Sequence, residues 1–437
     1  MLAAALLTAG CAKEEKAPEP VKLKVLAFNA SWFEQKYGSF YIATHPEDDL
    51  EVVSVVERLD DSTDVDTAIK ELIDKENPDV VALPANFFAV LKGSDALLSL
   101  DDYVKKDRFD VQGITPAVLD SLRADGSLYG LAATFRGSAL YYNKAMFDRY
   151  SIAYPTDFMT WDEVFTLASR FTKEESAGEA AQYGLDYRYS DNAFLMALYI
   201  GDAEGLTVMA NRKFTLNSDA WIRTFENVKT CLTSGACLDR SRLAEPINMD
   251  LKARELATMP FLKGNVAMTV GKTDLYGALT RDPRAYSEIQ WGMVTVPVSG
   301  LQRDAGAESE PDEVFAIPKR APQPGAAWRL VAYIGGEAYA KVLPRIDPAA
   351  LPIRPAEGPE AVSRDVFYKL KKDNRSLYST LGTLPASVIQ KMDEVSNAYM
   401  PQLLEGKLTT AEALKKMEAD LQSALDKENM NSGNVSG

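Results

Sequence analysis

A chain of 437 residues, with 63 acidic against 48 basic side chains, one histidine and a net charge of −15, is long enough for two or three buried cores. The charge balance excludes nucleic acid as a partner, since phosphates demand basic patches, and disfavours a general anionic-lipid surface. One histidine cannot build both a catalytic triad and a metal site. Neither GxSxG, HExxH nor a glycine-rich phosphate loop occurs, so no enzyme, cofactor or metal centre is expected.

The first eleven residues, MLAAALLTAGC, are small and apolar but fall short of the about 20 residues a bilayer span needs. They read as the end of a secretory signal peptide over residues 1–10, although no basic residue precedes the run. Leu7-Thr8-Ala9-Gly10-Cys11 has the form of a lipobox, in which an acylated Cys11 attaches the chain to a membrane without a spanning helix. The stretch that follows, to about residue 20, is charged, carries Pro18 and Pro20, and suits an extended tether.

Val21 to Phe28, Leu50 to Val56 and Pro78 to Pro84 read as strands. Between the second and third, Val65 to Lys75 is helical, with Ile69, Leu72 and Ile73 on one face. Such alternation predicts parallel strands covered by helices. Asp60 to Asp66 with Glu71 carries the ligand types of a calcium loop, but Val65 stands where the sharp turn needs glycine. Acids at a helix N-terminus account for that cluster without metal. His45, followed by Pro46, is expected in a loop.

From Asp125 to Phe171 the pattern gives a strand, a loop with Phe135 and Arg136, a strand ending in Tyr141-Tyr142-Asn143-Lys144, and two helices. The second helix opens at Thr160 with Glu163 three residues on, a capping box. Trp161, Val164, Phe165, Ala168 and Phe171 then share one apolar face. Trp161, Trp221 and Trp328 all lie on amphipathic helix faces and are expected in cores. Cys231 and Cys237 flank a helix end and a turn at Thr233-Ser234-Gly235. In an exported chain they are expected as a disulfide, with two half-buried thiols as the alternative. No histidine stands near enough to suggest zinc.

The segment DGSLYGL…LYYNKAMF…TWDEVF resembles the lobe crossover of bacterial ABC-transporter solute-binding proteins, in the extracellular family that includes maltose-binding protein. The resemblance continues in PDVVALPANFF, LLSLDDYVKKD, Phe261 to Thr269, Trp291 to Pro297, Phe315 to Pro318, Leu351 to Arg354 and Leu404 to Leu414. It therefore runs, in order, from about Val21 to about Lys427. It implies an α/β, two-lobed fold of the type II periplasmic-binding-protein kind, each lobe a mostly parallel sheet flanked by helices. Three crossovers would lie near Gly137, Thr295 and Pro318. Lobe one would hold residues 21–138 and 297–318, and lobe two 139–296 and 319–437. By the same resemblance the chain is a monomer that captures solute by hinge closure and docks on ABC permease subunits. Its place would be the outer face of the cell membrane, at the cell surface or in the periplasm.

Sugar clefts need flat aromatic faces for C–H surfaces and polar side chains for hydroxyls, carried on loops at the C-terminal ends of strands. Trp32 and Phe33 follow the first strand, and Asn86 and Phe87 follow the third. Phe135 and Arg136 stand at the crossover. Tyr187, Arg188 and Tyr189 follow Tyr183 to Asp186, where the family puts second-lobe contacts. Asp274 and Tyr276 follow Gly271, where the family often has Gly-x-Trp. Here Lys272-Thr273-Asp274 replaces that tryptophan, and an acidic loop from Asp304 to Glu313 replaces the usual Gly-Gly pair. A mono- or oligosaccharide is the expected solute. If Glu310 or Glu313 faces the cleft, a polyamine or other amine becomes the alternative, and a non-transporting sensor lobe is the third reading.

Overall fold

The computed structural model describes residues 20–59, 64–171, 181–188, 192–243, 249–281, 286, 289–307, 309–347, 349–355, 363–372, 377–382 and 384–433. Cys11, the leader, the tether, Tyr189 and Asp60 to Thr63 of the calcium-like pattern lie outside them. The chain divides into two compact units. One spans residues up to Tyr103 with Ser127–Leu131 and Val314–Ile334; the other spans Val104–Gly126, Ala132–Glu313 and Gly335 onward.

In the first unit the strand Lys22–Ala27 alternates at its start and then turns wholly apolar. Leu23, Val25, Leu26 and Ala27 are buried, as a strand covered on both faces requires. It pairs in parallel with Asp49–Ser54 on one side and Val80–Pro84 on the other. Strands Glu313–Ala316 and Gly130–Ala132 complete a five-stranded sheet. Helix Val65–Glu76 buries Ala68, Ile69 and Leu72. Asp64 opens it by accepting from the Thr67 amide at 3.0 Å, so this acid of the calcium-like pattern is a helix cap.

Helix Pro324–Ile334, which the family resemblance places in lobe two, clusters instead with the first unit. Arg329 reaches the buried Asp48 at 3.1 Å, Asp48 also accepts from the Tyr41 hydroxyl at 2.6 Å, and Trp328 stacks on Tyr103. His45 ends the helix Ser39–Thr44 and stacks on Tyr41 at 4.3 Å.

In the second unit a four-stranded sheet runs Trp291–Thr295, Ser138–Asn143, Val266–Lys272, Tyr183–Tyr187. Ser138–Asn143 is antiparallel to both of its neighbours, and Val266–Lys272 is parallel to Tyr183–Tyr187. Helices Trp161–Ala168, Ala193–Glu204, Asp219–Thr233, Ala386–Leu404 and Thr410–Gly433 contribute one large apolar core with these strands. Trp161, Trp221 and Trp328 are all buried. Thr160 and Glu163 form the reciprocal capping box. Cys231 and Cys237 are disulfide-bonded. Among the described residues no helix is long and apolar enough to cross a membrane.

Candidate functional site

The parallel strands of the first unit end together, because the chain leaves each one through backbone bonds to its neighbour: Phe28 N donates to Ala82 O, and Val56 N to Phe28 O. Asn29 caps the short helix Ala30–Phe33, its side chain accepting from Trp32 N at 3.0 Å. That helical start turns Trp32 outward, leaving 56% of it exposed with Lys36 Nζ 5.4 Å from its ring. It also turns Phe33 inward, where the ring packs against Tyr37 and Phe315 and has no accessible surface. Asn86 is exposed. Phe87 is half-buried and stacks on Phe28 at 5.3 Å. The first unit thus offers Trp32, Asn86 and an edge of Phe87 at one end of its sheet.

In the second unit Phe135 is buried, edge-on to Tyr368. Arg136 beside it is exposed and reaches both Glu310, at 3.1 Å, and Asp312, at 3.3 Å. Two acids of the loop that replaces the Gly-Gly pair, Glu310 and Asp312, are therefore engaged by a guanidinium of their own unit. Glu313 is buried at the start of its strand. Tyr276 is fully buried between Trp291 and Phe367.

Strand alternation sorts the Asp186-Tyr187-Arg188 run. Tyr187 turns to the core, edge-on to Trp161 at 5.7 Å. Arg188 holds Asp274 by two bonds of 3.0 and 2.6 Å. Arg188 keeps 13% of its side chain exposed and Asp274 keeps 55%, so the pair stands at the unit's surface with the carboxylate outermost. Beneath it, Asp186 is wholly buried and accepts from Arg240 Nη1 at 2.9 and 3.1 Å. Burial pushes the Asp186 carboxyl up from its ordinary range, and the guanidinium groups of Arg240 and Arg188 oppose that shift.

The aromatic positions divide, then, into one open ring, Trp32, one half-buried ring, Phe87, and four buried ones, Phe33, Phe135, Tyr187 and Tyr276. The Asp186–Arg240 pair has no counterpart in the sequence reading. Only the Asp-x-Arg alternation hinted at it, by setting an acid on the same strand face as Arg188. Among the described residues no group of three or more His, Cys, Asp or Glu could hold a metal ion.

Known proteins accord with this architecture. A family model described as bacterial extracellular solute-binding protein matches residues 46–356. An ABC substrate-binding protein of Listeria monocytogenes, solved in complex with cycloalternan, is 17% identical with a TM-score of 0.60, covering 93% of this chain and 100% of its own. A sugar transporter of Rhizobium etli, solved in an open conformation, is 17% identical with a TM-score of 0.65, covering 92% and 99%. The sugar-binding protein MalE of Xanthomonas citri is 14% identical with a TM-score of 0.63, covering 94% and 99%. At these identities the likeness carries the fold, which is the two-lobed α/β fold of MalE-type periplasmic binding proteins. With the family model spanning more than two thirds of its length, the chain belongs to the bacterial extracellular solute-binding proteins.

Proposed function

We propose that this chain captures a neutral mono- or oligosaccharide for an ABC importer, without catalysis, and delivers it to the permease. Two observations carry the reading: an open tryptophan ring, Trp32, in the first unit, and in the second unit polar groups whose charges are already matched. Glu310 and Asp312 lie on Arg136, and Asp274 lies on Arg188. A cationic solute would have to compete with those guanidinium groups. A sugar hydroxyl asks only for spare lone pairs and N–H groups, which charge-matched pairs at a surface retain. The solved relatives that carry sugars in their descriptions support the same class.

The proposed contact set is Trp32, Asn86 and Phe87 from the first unit and Arg136, Arg188 and Asp274 from the second. Phe33, Phe135, Tyr187 and Tyr276 act as the packed supports behind them. Closure about hinges near the interlobe crossovers brings the two sets onto the solute. Cys11 carries the lipid that tethers the monomer to the outer face of the membrane.

A thermal-shift screen of the full chain against saccharides, polyamines and amino acids tests the assignment. Ligand at 1,000 times its Kd stabilises by about 4 kcal/mol. A shift with saccharides that is lost in Trp32→Ala is the expected result. A shift with amines only would overturn the saccharide reading.

A further inference from the structure

The Arg188–Asp274 pair does not stand alone. Two residues back on the same strand face, Asp186 takes both of its bonds to Arg240 from one guanidinium nitrogen, and Arg240 Nη2 donates to the Thr258 carbonyl at 3.1 Å. Thr258 is the last residue of helix Leu251–Thr258. Charge therefore alternates along the series Arg240, Asp186, Arg188, Asp274, in which Asp186 is the most buried and Asp274 the most exposed.

Arg240 is delivered to this chain of charges by the backbone. Tyr183–Tyr187 is the outermost strand of its sheet. The stretch Ala236 to Leu238 lies along it through Gly184 N to Ala236 O, 2.8 Å, Leu185 N to Ala236 O, 3.0 Å, and Leu238 N to Leu185 O, 2.8 Å. That stretch is itself tied to the end of helix Asp219–Thr233 by the Cys231–Cys237 disulfide and by Cys237 N to Cys231 O at 2.8 Å.

We propose that Arg240 is a positioning residue for solute capture: by saturating Asp186 it leaves the fork of Arg188 free to hold Asp274, and the Cys231–Cys237 bridge keeps Arg240 in place. The inference rests on the reading that Arg188 and Asp274 meet the solute. Without Arg240, Asp186 is a buried carboxylate lacking its counter-ion, a costly state. Arg188 is the other cation whose field reaches it. Its side chain turns inward to Asp186, and Asp274 loses both bonds.

The test uses the full chain, maltotriose as probe, and two readouts. In the unliganded crystal structure of Arg240→Met, Arg188 is expected on Asp186 and away from Asp274. Titration calorimetry is expected to give about tenfold weaker maltotriose binding, as losing a paired charge implies. The double variant Asp186→Leu/Arg240→Met removes the buried charge altogether. It folds without an unpaired ion, returns Arg188 to Asp274 and restores affinity to within about threefold. A structural role alone would leave the double variant as weak as the single one.

The Arg188–Asp274 pair found intact in Arg240→Met overturns the proposal, and so does a double variant that fails to recover. If Asp274→Ala binds maltotriose as the parent does, the solute reading of this pair fails; if neither binds, maltotriose is not the solute. The crystal structure of Arg240→Met then decides the positioning by itself.

Discussion

Glu204 closes the helix Ala193–Glu204 and accepts from the Thr224 hydroxyl at 2.7 Å. Burial pushes its carboxyl above the ordinary glutamate range and the Asp162 charge adds to that, while the Thr224 bond and Arg223 oppose it. The folded chain therefore keeps a proton at pH values where the unfolded chain has released it. Unfolding stability falls as pH rises from the ordinary range, about 4.3, to the raised value. Glu204→Gln keeps an acceptor for Thr224 and removes the titration. Relative to the parent, the variant should gain stability as pH rises through the weakly acidic range and hold a constant margin above it. Each unit of displacement is worth about 1.4 kcal/mol. Urea unfolding at a series of pH values reads the difference directly, and a margin independent of pH would show that Glu204 titrates as it does in the open chain.

At the scale of elements, one close approach fixes how two helices of the second unit meet. A Cβ placed on Gly201 would lie 2.1 Å from Trp221 Cζ3, inside a contact where the indole is buried and its N–H is held by the Thr207 carbonyl at 3.1 Å. The ring has nowhere to swing. Gly201→Ala is expected to lower stability by about 1–3 kcal/mol through overpacking, although alanine is the better helix former by about 1 kcal/mol. A thermal midpoint equal to or above the parent's would refute the close approach. Thr160→Ala, which removes the acceptor for the Glu163 amide, is expected to cost about 1 kcal/mol in the same assay. Caps and faces of this kind were legible in the sequence, because Thr-x-x-Glu and the apolar spacing from Trp161 are local. So were the strands Lys22–Ala27, Asp49–Ser54 and Val80–Pro84, whose apolar runs announce burial. The direction of single side chains was not. A position just past a strand marks the end of a sheet but does not say which ring turns in, and the helical start at Asn29 puts Phe33 four residues from Tyr37 on the buried face. The Asp186–Arg240 pair joins residues 54 apart, a distance no spacing rule covers. Helix Pro324–Ile334 belongs with the first unit through Asp48 and Tyr103, contacts that no local pattern encodes.

Across the whole molecule, the net charge of −15 separates the two solute classes by a property that no single contact controls. A polyamine approaching this chain would be drawn by its field and held by exposed carboxylates, and both effects weaken as the screening length shrinks from about 30 Å at 0.01 M salt to about 3 Å at 1 M. A neutral saccharide feels neither. On the proposed reading its affinity would come from the face of Trp32, from hydrogen bonds to pairs whose charges cancel locally, and from closure. Raising salt cannot remove the first and screens the exposed pairs only from each other. Saccharide affinity should therefore change less than about twofold between 0.01 and 1 M sodium chloride, whereas a polyamine would lose about tenfold or more over the same interval. Titration calorimetry at the two salt concentrations measures this. A saccharide whose binding collapsed at high salt would place its main contacts on unpaired charge, and Arg136, Glu310 and Asp312 would have to separate when the solute binds.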